Sequence, residues 1–292
     1  MGGWGMIKNR LPSLLRHFPE GIPVASTRSY FVHQNDRKSG YRKKKDENII
    51  KNVRDGLKQL KHEVKAWKEE VKERITHDPF EFINPGHVEP LWLFEEDDCL
   101  PSWKVSTDTD WGLGFSSASL ERSNLGYAAF TGNLDTTVPK DGKTSRAGYC
   151  SMQSAEPRKS FQREDYYDWS LYTHLIMRVR GDGRTYRVNL ASVGYFDVTW
   201  HDQWNYLLFT RGGPYWQIAK IPFSKFLLTA KGRIQDHQGP VPLDRISSLA
   251  IVCADKVSGP FRLEIDYIAL QYDPSHTEKF AYEMYKVPDF TD

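Results

Sequence analysis

Two runs of alternating side chains separated by one glycine-flanked turn constrain this chain more than any other feature. From Asp168 to Leu190 the sequence reads DWSLYTHLIMRVRGDGRTYRVNL. Leu175, Met177 and Val179 alternate with Arg178 and Arg180, and Tyr186, Val188 and Leu190 alternate with Arg187 and Asn189. A period of two belongs to strands with one face buried and the other wet. Gly181-Asp182-Gly183 tolerates positive φ, so the pair predicts an antiparallel β-hairpin.

The same texture runs from Leu91 onward. Strands are predicted at Leu91 to Phe94, Trp103 to Ser106, Ser117 to Arg122, Tyr127 to Thr131, Ala147 to Met152, His174 to Arg180, Thr185 to Ala191, Tyr206 to Thr210, Trp216 to Ile221, Leu249 to Cys253 and Arg262 to Gln271. Short strands spaced by Gly, Pro, Asn and Asp predict a mainly β fold, an antiparallel two-sheet sandwich of jelly-roll type over 91–273. A helical turn is expected only at Phe223 to Leu228, and 274–292 forms a C-terminal tail with enough aromatic side chains to favour partial order.

Charge separates this body from what precedes it. Residues 1–77 hold 18 Lys and Arg against 9 Asp and Glu, net +9, whereas the remainder holds 22 against 29, net −7. Residues 1–35 carry Lys8, Arg10, Arg16 and Arg28 against Glu20 alone, with Ile7, Leu11, Leu14, Leu15 and Phe18 at helical spacing. An Arg-bearing, acid-poor amphipathic segment without a continuous apolar run predicts a mitochondrial transit peptide, processed near Phe31 after Arg28-Ser29-Tyr30; a plain basic tail is the alternative. Residues 36–90 form a linker carrying a helix over about 46–77, N-capped by Asp46 and ended by Asp78-Pro79. Its stripe is Ile49, Val53, Leu57, Leu60, Val64, Trp67, Val71 and Ile75. Such a stripe either packs on the sandwich or is offered to a partner protein. No run is long and apolar enough to predict a membrane-spanning helix.

Little here reads as catalysis. The sequence lacks a Walker loop, a GxSxG elbow and an HExxH or HxH pair. Gly112-Leu113-Gly114 begins a GxGxxG reading that Ser117 breaks. The acid pairs in Glu95 to Asp98 and at Glu164-Asp165 read as solvated loops, and Asp108 and Asp110 as turn caps rather than calcium ligands. Cys99, Cys150 and Cys253 show no CxxC spacing, so neither a disulfide framework nor zinc is expected. No cofactor is expected and no nucleic-acid partner. Eight aromatic residues crowd Tyr195 to Trp216. The expected loop members Trp200, His201, Trp204 and Tyr215 are therefore candidates for an exposed partner-binding patch, joined by Leu57, Leu60, Val64 and Trp67 of the helix.

Four ordered segments carry a family resemblance. SWKVSTDTDWGLGFSSASLE at Ser102 to Glu121, the Asp168 to Leu190 run, YWQIAKIPFSKF at Tyr215 to Phe226 and FRLEIDYIAL at Phe261 to Leu270 together resemble the complex I intermediate-associated protein family. The family usually has adjacent glycines in the first segment, where Leu113 here separates Gly112 from Gly114. The resemblance implies a galactose-binding-like β-sandwich and a non-enzymatic chaperone or scaffold for the membrane arm of mitochondrial respiratory complex I. It implies a matrix protein at the inner membrane. The implied partners are an assembly complex of ECSIT, an acyl-CoA dehydrogenase-like factor and membrane-embedded assembly proteins, with early membrane-arm subunits. A carbohydrate-binding module of the same fold is the alternative, set apart by the transit-like rather than secretory N-terminus; a flavin- or NAD-linked reductase accessory lacks its nucleotide fingerprint. Arg180-Gly181-Asp182 spells an integrin-recognition tripeptide that an imported protein has no occasion to use.

Overall fold

The computed structural model describes residues 49–76, 83–95, 99–142, 144–192, 202–230 and 232–285. One helix, α1 (Ile49–Thr76), precedes the strands β1 (Val88–Leu93), β2 (Trp103–Thr107), β3 (Ser117–Arg122), β4 (Ala128–Leu134), β5 (Cys150–Ser154), β6 (Arg158–Lys159), β7 (Arg163–Glu164) and β8 (His174–Arg180). The remaining strands are β9 (Thr185–Ser192), β10 (Asp202–Phe209), β11 (Gln217–Pro222), β12 (Leu227–Ala230), β13 (Arg233–Ile234), β14 (Ile246–Cys253) and β15 (Gly259–Gln271). The described residues fall into two compact units, α1 with the Lys159–Arg163 loop and the sandwich built from the others. In α1 the apolar stripe and the absence of internal proline favour a continuous helix; the expected Asp46 cap and Asp78-Pro79 stop lie outside the described residues.

The sandwich is antiparallel throughout. Its first sheet runs β11-β8-β15-β4-β3, with β1 also on β15, and its second runs β13-β12-β10-β9-β14-β5-β2. Strand β15 is long enough, at thirteen residues, to pair with β8 on one edge and successively with β4 and β1 on the other. All eleven predicted strands are present. The two-residue strands β6, β7 and β13 and the short β12 were not predicted, because so few residues display no period. Helical character at Phe223 to Leu228 is confined to a single turn, Phe223–Lys225.

The expected hairpin is the main correction. β8 pairs with β11 and β15, whereas β9 pairs with β10 and β14, so Gly181–Arg184 crosses from one sheet to the other. Both alternating runs point inward as expected, but they face each other across the core: Leu175, Met177 and Val179 from one sheet, Tyr186, Val188 and Leu190 from the other. All six are fully buried, and the five other than Tyr186 are each worth roughly 1.5–3 kcal/mol of transfer free energy. Hydrogen bonds fix the crossing. Asp182 accepts from Arg184 N (3.0 Å), Arg262 N (2.8 Å) and the Tyr186 hydroxyl (3.2 Å). Arg184 donates to both oxygens of Asp255 (2.8 and 2.7 Å), to Gly259 O and Pro260 O (both 3.0 Å) and to Val257 O. Thus the tripeptide that looked like a recognition motif is a sheet-to-sheet joint. Gly181 packs so closely on Thr210 that a Cβ there would lie 2.3 Å from its side chain.

Toward the other end, rings fill the core. Trp92 meets Trp103 and Trp169 edge-on at 5.3 and 6.4 Å, and Trp169 stacks on Phe223 at 6.0 Å. Residues 272–285 continue from β15 as a strap along the sandwich. Lys220 donates to Asp273 (2.6 Å), Lys225 to Glu278 (2.9 Å), and Ser224 Oγ lies 2.8 Å from His276 Nε2. Ala281 is buried, while Tyr282, Met284 and Tyr285 remain exposed.

His174, buried beside this strap, lies 5.0 Å ring to ring from His276. Burial, helped by the charges of Lys220 and His276 and opposed by Asp273, lowers its pKa from 6.5 to about 4. The unfolded chain therefore binds a proton first on acidification. His174 contributes stability that is complete above about pH 6.5 and is lost as pH falls toward about 4. Comparing denaturant midpoints from about pH 7 down to about pH 5 should show a smaller acid loss for His174→Gln than for the parent chain.

Candidate protein-contact surface

The segment Asp108–Ser116 joins β2 to β3 and is unusual in being both rigid and apolar outward. Asp108 is fully buried. Its carboxylate accepts from Ser116 N (2.9 Å), Ser116 Oγ (3.1 Å) and Gly148 N (2.8 Å), and its carbonyl from Leu113 N (2.9 Å). Asp110 accepts from Thr107 N (2.7 Å), and Thr109 Oγ1 donates to Ser116 O (2.6 Å). Gly112 has φ +67°, and a Cβ on Gly114 would fall 2.0 Å from Asp108 Oδ2. Both glycines are therefore required where they stand. The two acids cap the turn, as expected; among the described residues no group of three His, Cys, Asp or Glu is arranged to hold a metal ion.

This bracing displays Trp111, 70% exposed, with Leu113 and Phe115, 59% exposed. Trp111 Nε1 donates to Ser106 Oγ (3.3 Å), which orients the indole. Large apolar side chains held in water by a fixed loop lose little conformational entropy when covered, the property of an interface anchor. The sequence reading missed this trio. Its signal was available in the WGLGF run, where apolar residues two apart are interleaved with glycine in a stretch too glycine-rich for a core strand.

The residues expected at the surface divide. Tyr215 is 83% exposed between β10 and β11. Trp204, expected in a loop, lies instead in β10 with 8% exposure and belongs to the core. The strand begins at Asp202, and pairing of Trp204 with Leu190 and Leu228 turns the indole inward. Trp200 and His201 lie outside the described residues. Leu57, Leu60, Val64 and Trp67 are exposed on α1. Along the β10–β11 passage Leu207, Phe209 and Ile218 are exposed as well.

Beside this passage the outer face of the first sheet is a closed lattice of charges. Arg178 and Arg180 lie over the Trp216 ring at 5.2 and 4.9 Å, and Arg180 lies 5.5 Å from the Tyr127 ring. Glu264, buried, is held by Arg180 and by Arg262 (2.7 Å), and Arg178 pairs with Asp266. Burial pushes the Glu264 carboxyl up, but hydrogen bonds from Arg180 and Arg262 outweigh it and hold the group below its ordinary range. Arg184 borders a shallow depression with Asp255, Val257 and Ser258, yet its guanidinium is committed to the carboxylate and carbonyls named above. The thiols are equally unavailable. Cys150 and Cys253 face each other across β5 and β14, and burial, reinforced by nearby carboxylates, pushes both up to about 12.

The family model described as complex I intermediate-associated protein 30 matches residues 92–265. The mitochondrial complex I intermediate-associated protein 30 of Drosophila melanogaster is 49% identical over 260 residues, 88% of this chain and 88% of its own. That of Mus musculus is 45% identical over 206 residues, 70% of this chain and 62% of its own. Among solved structures, a family 11 carbohydrate-binding module from Clostridium thermocellum aligns with a TM-score of 0.47 at 22% identity, covering 66% of this chain and 100% of the module.

Two substitutions separate core from surface. Trp204→Ala should destabilise the sandwich by about 3–5 kcal/mol, and Tyr215→Ala should stay within about 0.5 kcal/mol of the parent in denaturant unfolding. Asp108→Ala leaves the Ser116 and Gly148 amides without their acceptor, while Ser116 Oγ keeps Asp135 O, and should cost on the order of 3 kcal/mol by the same measurement.

Proposed function

The chain belongs to the complex I intermediate-associated protein 30 family, and on that premise we propose that it is a non-enzymatic assembly factor for the membrane arm of mitochondrial respiratory complex I. It works as a scaffold in the matrix, at the inner membrane, holding early membrane-arm subunits and the assembly complex that contains ECSIT, an acyl-CoA dehydrogenase-like factor and membrane-embedded proteins. The relatives are named mitochondrial, and among the described residues no helix is long and apolar enough to cross a membrane. A peripheral attachment through protein contacts fits both facts.

The observation that carries the reading is the Trp111, Leu113 and Phe115 trio, fixed by buried Asp108 and facing water. A rigid sandwich varies its loops without disturbing its core, so a braced apolar loop is an economical way to recognise a partner. The chemistry of the polar groups supports a scaffold. The arginines and carboxylates of the first sheet are mutually paired, and the Cys150 and Cys253 thiols are far from forming thiolates. Tyr215 and the β10–β11 passage supply a second contact region.

Mitochondria lacking the chain, resupplied with the parent or with the double variant Trp111→Ala and Phe115→Ala, test the reading on native gels. The parent should restore full-size complex I. The double variant, folded by thermal melting, should leave membrane-arm intermediates unjoined. Normal complex I without the chain would overturn the assembly role; full rescue by the double variant would overturn the role of the loop.

A further inference from the structure

Helix α1 carries a second signal that amphipathicity alone does not contain. From Leu57 the apolar positions Leu57, Leu60, Val64, Trp67 and Val71 step by three, four, three and four, and the stripe then steps by four to Ile75. That is a heptad seam with Leu57, Val64 and Val71 at a and Leu60 and Trp67 at d, and the register continues upstream in the sequence through Ile50 and Val53. A stripe meant for a globular core is broader and drifts around the helix, whereas a strict a and d seam is narrow and matches another helix. All five side chains are exposed, Leu57 by 62%.

The flanks are sorted by charge. Position e is lysine in both described heptads, Lys61 and Lys68, and position g is glutamate in both, Glu63 and Glu70. In a parallel pair of identical helices, g of one heptad faces e of the next on the partner helix, which sets Glu63 against Lys68 twice by symmetry. In an antiparallel pair g faces g and e faces e, setting glutamate against glutamate and lysine against lysine. The edge charges therefore complement a second copy in one orientation and oppose it in the other.

The loop within this unit leaves the seam clear. Glu63 accepts from Phe161 N (2.6 Å), and Glu70 accepts from Ser160 N and pairs with Arg163. Both g glutamates are thus engaged by the loop, in which Phe161 has φ +58°. Leu57, Leu60, Val64 and Trp67 stay exposed beside it.

We infer that α1 is a self-association element: two copies of this chain join through a parallel two-stranded coiled coil along the Leu57, Leu60, Val64, Trp67 and Val71 seam. The inference rests on the seam and its edges and stands whether or not the sandwich serves complex I assembly. Sedimentation of the full chain tests it. The parent should show a concentration-dependent species of twice the 33.9 kDa chain mass. Val64→Asp should abolish it with helix content retained by circular dichroism. Lys68→Glu and Glu63→Lys should each weaken self-association on the order of tenfold, and their mixture should form a heterodimer in which both flanking pairs are again opposite in sign. A parent that stays monomeric to its solubility limit overturns the inference, as does a dimer untouched by Val64→Asp. Tighter association of Lys68→Glu would overturn the parallel arrangement, and if Val64→Asp fails to fold, the charge-exchange mixture decides.

Discussion

The sandwich depends on the joint at Gly181–Arg184, where the chain leaves one sheet and enters the other. Two buried strands of alternating pattern can pair side by side or face each other, and local sequence does not distinguish these. The joint does. Asp182 takes a backbone N–H from β15 in the first sheet and the Tyr186 hydroxyl from β9 in the second, while Arg184 ties the end of β14 to the start of β15. The β8–β9 and β14–β15 crossings are thereby locked into one hydrogen-bonded knot, and the apolar faces of β8 and β9 are committed to each other. Arg184 and Asp255 are half-buried, so removing one partner should cost less than the about 3–5 kcal/mol typical of a fully buried pair.

Once the core is fixed, the loops can be specialised. The segment Asp108–Ser116 uses a buried carboxylate as its internal framework and puts its apolar side chains outward, the reverse of the usual arrangement. The first sheet's outer face is different in kind: its arginines, carboxylates and rings satisfy one another. A surface so self-paired is stable without a ligand, which is why the proposed contact lies at the loop and the β10–β11 passage. Exposed apolar groups there gain from being covered, whereas the charge lattice would first have to be desolvated.

How much of this was legible in the sequence follows from what alternation can encode. Period two located each of the longer strands and the inward face of β8 and β9, because burial on one face forces that pattern. It could not assign partners, so a sheet crossing read as a hairpin. Trp204 was misplaced because β10 begins at Asp202, in an aromatic stretch whose polar interruptions, Asp202 and Asn205, resemble a loop. Asn205 is accommodated by a hydrogen bond to Thr229 on the neighbouring strand (2.6 Å), a contact made across 24 residues of chain. The WGLGF run carries a signal for the Trp111 trio but none for what braces it. Nothing local announces that Asp108 is buried, since its donors come from Ser116 and Gly148. The heptad seam of α1, by contrast, was present in the sequence as three-and-four spacing, and only the exposure of its side chains gave the edge charges their meaning.

The central claim is that the loop braced by Asp108 is a contact surface. Hydroxyl-radical footprinting of the chain, free and in purified native assembly intermediates, tests it most directly, with buried Trp169 as the internal reference that stays unmodified in both. Strong labelling of Trp111 and Phe115 in the free chain and its loss in the intermediate is the predicted result. Equal labelling of both residues in the two states would contradict the account.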